Sequence, residues 1–233
     1  SLTSRLLQII GSPYVNLPKE VNSIKTAVVY LGIDTIRNIA ISTSAMHFFK
    51  FSKAVPEFNI GSFWYHSYKC AVVSRKIAEE NAFSNPDEFF LAGLLHDIGR
   101  LVLMQNFPDD YKKILKKATS EKQTLTLEME TFEADTPQVS AWLFSQWNLN
   151  PLISDAVLFI NESVEQIEGA LSHVKMLFLS NLLAGQDALE KIVDVLSLTD
   201  ISQARLEEIT AAAEEEVSEI SKSLGIKLNE PQD

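Results

Sequence analysis

One cysteine in 233 residues leaves no partner for an internal disulfide, and no basic segment leading into an apolar one opens the chain. Secretion is therefore not indicated, and the cytoplasm is the expected compartment. No uninterrupted apolar run reaches the roughly 18 residues that suggest a membrane span. Basic residues are also scarce: 20 Lys and Arg stand against 31 Asp and Glu, a net charge of −11. Such a balance repels nucleic acid and anionic lipid, so neither is an expected partner. The basic group Lys112, Lys113, Lys116 and Lys117, beside Asp109 and Asp110, reads as a solvated helix face. There is no phosphate-cradling glycine loop, no zinc-type cysteine cluster, and no Ser or Cys nucleophile beside an evident base. Cys70, among Ala71, Val72 and Val73, reads as a small core residue.

What remains is a chain that is 46% hydrophobic, with apolar residues recurring at three- and four-residue intervals and no sustained alternation. That pattern predicts an all-α fold. Leu2, Leu6, Leu7 and Ile10 form a first stripe; Ile24, Ala27, Val28 and Leu31 form another, ended by Gly32. Asp34 is expected to cap a third helix through Ile36, Ile39 and Met46. Asn85-Pro86, Thr136-Pro137 and Asn150-Pro151 each join a capping side chain to a proline at the first helical position. Long helices are predicted over residues 62–81 and 86–105, shorter ones near 109–119 and 137–147, a further one from Pro151, and a core helix over 168–183. Residues 202–224 carry Leu206, Ile209, Ala213 and Val217 on one side and glutamates on the other, an amphipathic arm that could dock on its own domain or meet a partner. These elements group as an N-terminal lobe over residues 1–60, a helical domain over 61–200 and a tail over 201–233. The chain opens directly on a short helix, so a further helix is expected upstream.

The chemistry lies in Leu91-Ala92-Gly93-Leu94-Leu95-His96-Asp97-Ile98-Gly99. A helix apolar on nearly all sides is buried, and a buried carboxylate needs a cation, a hydrogen-bond donor or water. Adjacent helical residues point about 100° apart, so His96 and Asp97 could reach one ion only from its flanks, with other helices completing the shell. Gly93 and Gly99 permit close helix approach or a bend. His66, in Phe63-Trp64-Tyr65-His66-Ser67, has the chain length before His96 for a helix, a turn and an antiparallel return. His47 and His173 read as structural histidines satisfied by neighbours.

With these motifs the chain resembles the HD-related output domain (HDOD), a branch of the HD superfamily found in bacterial signalling proteins. Leu6-Leu7-Gln8-Ile9, Ile24-Lys25-Thr26-Ala27-Val28 and Tyr30-Leu31-Gly32 are similar to its N-terminal lobe. The segment from Leu91 to Gly99 is the specific match, extended by Glu128, Glu130 and Trp147-Asn148-Leu149-Asn150-Pro151. The resemblance implies an HD-type fold and, in catalytic relatives, a metal held by histidines, the His-Asp pair and a later aspartate. His66, His96 and Asp97 match the first three positions, and Asn181 stands where the closing aspartate is expected. Asp135-Thr136-Pro137 and Phe159-Ile160-Asn161 occupy stretches where related sequences place further histidines. The resemblance thus implies a non-catalytic regulatory module that acts through protein interaction or ligand sensing, whose partners are signalling proteins, with no cofactor. The alternative is a metal-dependent phosphohydrolase in which His66, His96 and Asp97 hold a single divalent metal.

Overall fold

A computed structural model describes residues 23–33, 36–37, 40–41, 44–45, 55–185 and 188–224. Among them every regular element is helical, as the apolar spacing predicts. Helix α1 spans Ile24–Leu31 and ends on Gly32 at φ +81°, a value that suits glycine. The cap expected at Asp34, the stripe from Leu2 to Ile10, and His47 lie outside the described residues.

Helix α2, Ile60–Glu80, is the axis of the domain. Asn59 starts it by accepting from the Gly61 and Ser62 backbone N–H groups, both at 3.1 Å. Helices α3 (Pro86–Leu95), α10 (Ser172–Ala184) and α12 (Gln203–Leu224) all pack against it. The α2–α3 crossing is close because of Gly93: a Cβ there would lie 2.7 Å from the Ala71 Cα and from the Cys70 carbonyl oxygen.

The predicted single helix over 86–105 is two helices. Helix α3 stops at Leu95 and α4 runs over Ile98–Asn106, with His96 and Asp97 in the turn between them. Two contacts account for the break. His96 Nδ1 takes the Gly93 carbonyl at 2.7 Å, an acceptor that a continuous helix would use for its own ladder. The Gly99 N–H donates instead to Ser140 Oγ at 2.9 Å. A Cβ on Gly99 would sit 2.4 Å from the Thr136 carbonyl oxygen, so only glycine lets the incoming helix approach this turn.

The elements that follow are α5 (Pro108–Lys117), α6 (Glu121–Phe132), α7 (Thr136–Gln146), α8 (Pro151–Leu158) and the single turn α9 (Val164–Ile167). Asp135, rather than Thr136, caps α7: its carboxylate accepts from the Gln138 N–H at 2.9 Å, and Gln138 returns the contact. Asn150 caps α8 through Leu152 N, whereas Asn85 makes no side-chain cap on α3. The core helix predicted from residue 168 begins at Ser172, because the chain turns after Ile167 and re-enters at Leu171.

After α11 (Ala188–Val195), helix α12 docks on its own domain, one of the two roles open to the amphipathic tail. Leu206, Ile209, Ala213 and Val217 are buried in the common core. Burial of each large side chain is worth about 2 kcal/mol. Polar contacts fix the register: Lys69 Nζ meets Glu214 at 2.7 Å and Arg205 Nε meets Glu80 at 2.8 Å. No helix among the described residues is long and apolar enough to cross a membrane.

Candidate functional site

The break between α3 and α4 faces His66 in the first half of α2 and Asn181 in the second half of α10, and these three sources converge. The His66 and His96 rings meet edge to face, their centroids 5.3 Å apart. Asp97 Oδ1 lies 3.7 Å from His96 Nε2, and the other carboxylate oxygen lies 3.9 Å from Arg100 Nη2. Asn181 Oδ1 is 2.9 Å from His66 Nε2. The structure therefore brings together His66, His96, Asp97 and Asn181. His173 is not in this group. It precedes Asn181 by two helical turns, about 12 Å along α10, and feels Asp155 of α8 instead.

The hydrogen bonds assign the proton on each ring. Asn181 Nδ2 is turned toward the Ile160 carbonyl at 3.4 Å and Asn161 Oδ1 at 3.5 Å, so its oxygen must accept from His66 Nε2–H. His96 Nδ1–H donates to Gly93, which directs Nε2 toward Asp97. Burial together with the nearby His96 charge lowers the His66 pKa to about 4. Burial also works against charge on His96, but Asp97, with help from Cys70 and the Gly93 carbonyl, raises it to about 9. Asp97 is held below the usual carboxylate range: burial opposes its charge, and His96, Arg100 and His66 outweigh burial. The centre is a buried imidazolium–carboxylate pair, backed by Arg100 and capped by a neutral imidazole.

An HD-type centre implies a divalent metal, and this donor set does not fit one. The His66 Nε2 position is occupied by the proton donated to Asn181. The carboxylate is shared between two cationic groups, and an amide oxygen is a weak neutral ligand for a hard ion. Among the described residues, no three His, Cys, Asp or Glu side chains are arranged to hold an ion.

Behind the pair lies a second polar layer. Arg100 reaches from Asp97 to Glu121 at the start of α6. Glu128, fully buried on α6, accepts from the Tyr111 hydroxyl, the Thr136 N–H at 2.7 Å and the Thr136 hydroxyl at 2.9 Å. These bonds hold the start of α7, whose Ser140 and Thr136 press on Gly99. The sequence carries only a weak sign of this role, since Glu128 and Thr136 sit on different helices and meet only through the turn between α6 and α7.

The HDOD domain pattern matches residues 1–163 of the chain. The chain belongs to the HDOD family. No curated protein sequence matches it. Among solved structures, an HDOD chain of this kind is similar to a candidate phosphohydrolase of Shewanella amazonensis SB2B, at 22% identity and a TM-score of 0.75 over 96% of this chain and 82% of that one. It is also similar to an HDOD domain protein of unknown function from Geobacter sulfurreducens, at 23% identity and a TM-score of 0.65 over 97% and 80% of the two chains. A third similarity, at 22% identity and a TM-score of 0.54, is to the MmoQ response regulator of Methylococcus capsulatus, over 98% and 84%. Identities this low carry the fold and no activity.

Proposed function

We propose that this HDOD chain is a non-catalytic regulatory module of bacterial, cytoplasmic signal transduction that acts through contacts with other signalling proteins. The observation that carries the reading is the Asn181–His66 hydrogen bond at 2.9 Å. It puts a neutral amide at the position of the closing ligand and a proton on the nitrogen that would otherwise face the ion. The His96–Asp97 pair is compensated internally, with Arg100 as a further cation, so the pocket needs no metal to satisfy its charge. A response regulator among the structural relatives agrees with a signalling role.

The competing reading is metal-assisted phosphoester hydrolysis. Its support is the convergence of His66, His96 and Asp97, and the name of the Shewanella relative. Hydrolysis assays on a phosphodiester and a nucleotide panel, with manganese or zinc added, separate the two. The regulatory reading expects the same background rate from the wild type and from His96→Ala. Turnover that disappears in His96→Ala would replace it with the enzyme.

A further inference from the structure

Between Lys122 and Lys175 the chain has no Lys or Arg and carries eight Asp and Glu. The same interval bears most of the exposed large apolar side chains among the described residues. The two features meet on α8. Ile153, Ala156 and Val157 of its inner face are buried, as is Ile160 in the turn that follows. On its outer face Leu152, Asp155 and Phe159 follow one another at helical spacing, and all three are exposed, Leu152 by 51% and Phe159 by 45%. Trp147, 39% exposed, stands just before the helix, and the exposed Glu162 and Glu165 follow it. At the N-terminal end of α8 a cleft of about 300 Å³ opens between Arg37, Glu88, Leu91, Leu149 and Pro151.

We propose that the outer face of α8 is a docking surface for an amphipathic, lysine- or arginine-rich helix of a partner protein. The assignment rests on the interaction reading of the domain given above and names the surface and the partner chemistry. Charge selects the partner. A row of apolar groups flanked by Asp155, Glu162 and Glu165, with Arg37 only at the cleft end, disfavours another acidic surface, a second copy of this chain and an anionic bilayer, and complements a helix with apolar residues on one face and cations beside them. The location gives docking a consequence. The turn that follows α8 supplies the Ile160 carbonyl and the Asn161 side chain that orient Asn181, and Asn181 holds His66. A helix seated on this face thus lies against the support of the His-Asp centre.

The test uses the full chain and a fluorescein-labelled synthetic helix of leucine and lysine, about 18 residues or five turns long, followed by anisotropy. Leu152→Ser combined with Phe159→Ser, and separately Asp155→Lys, should each weaken binding about tenfold, as loss of a central anchor does. Val193→Ser, which removes an apolar side chain of similar exposure on α11, should leave it unchanged. Asp155→Asn keeps the shape of the side chain and should give a smaller loss in the same direction, which covers a folding defect in the reversed-charge variant. Equal affinity in the wild type and both α8 variants would overturn the assignment, as would an equal loss in Val193→Ser or tighter binding to phosphatidylglycerol vesicles than to the peptide. None of these outcomes touches the hydrolysis assay, so failure of the surface and failure of the regulatory reading are separate results.

Discussion

His66 on α2 and Asn181 on α10, 115 positions apart, are joined by a 2.9 Å hydrogen bond that closes the centre of the domain. An aspartate at position 181 would put a charged oxygen where the amide oxygen now accepts. Asn181→Asp should therefore create a metal site from His66, His96, Asp97 and the new carboxylate. In excess manganese the variant is expected to melt about 5 °C higher than in chelator, the scale of a ligand well above its dissociation constant in a domain of this size. The wild type should show no shift. Differential scanning fluorimetry checks both, and an equal shift in the two proteins would contradict the assignment.

Both helix crossings at the centre depend on a missing Cβ. Gly93→Ala would drive a methyl group into α2 backbone at 2.7 Å, and Gly99→Ala would drive one into the Thr136 carbonyl at 2.4 Å. Neither neighbour is a flexible side-chain end that could swing aside. Each substitution should cost about 2–3 kcal/mol in urea unfolding. A cost near zero would mean that the helices separate more easily than the packing implies.

Glu128→Ala removes the acceptor for the Tyr111 hydroxyl and for two donors of Thr136, all buried. Leaving several donors unsatisfied should cost about 3 kcal/mol or more, and Glu128→Gln, which keeps one acceptor oxygen, should cost less. The order of the two unfolding midpoints is the check. Equal midpoints would show that the layer behind the His-Asp pair contributes by shape alone.

The two histidines should limit stability at opposite ends of the pH scale. His66 titrates at 6.5 when unfolded and at about 4 when folded, so the unfolded chain takes up more protons in that window and stability falls as pH drops through it. Asp97, held low in the folded state, adds to the loss further down. His96 rises from 6.5 to about 9 on folding, so its contribution is complete below 6.5 and is lost as pH rises through about 9. Urea midpoints across this range should form a dome. His66→Gln should flatten the acid limb and His96→Asn the alkaline one. A wild-type midpoint constant across the range would contradict the charge assignment.

The helical class, the cap at Asn150 and the inward face of the tail could be read from spacing alone, because capping and amphipathicity are local, whereas Asn85 makes no side-chain cap and Asp135 takes the place expected for Thr136. Spacing left room for His66 to meet His96 through a helix, a turn and a return, but only the fold shows that the two rings meet. The break at His96-Asp97 was not legible. A uniformly apolar run reads as one helix, and what divides this one is the His96 ring on the Gly93 carbonyl together with Ser140, 41 positions beyond Gly99. The replacement of a closing aspartate by Asn181 was visible, but not its effect: that the amide turns its oxygen to His66 follows from the Ile160 carbonyl, which no pattern in the sequence announces. In the sequence Glu128 stands only within a weakly specific motif, although it anchors the helix that presses on the centre.

The central claim is that the His-Asp centre satisfies its own charge without an ion. Metal analysis by plasma mass spectrometry, on protein purified without chelator and dialysed against metal-free buffer, tests it most directly. The account predicts only trace divalent metal, with no change in His96→Ala. Near-stoichiometric manganese, iron or zinc that is lost in His96→Ala would contradict it.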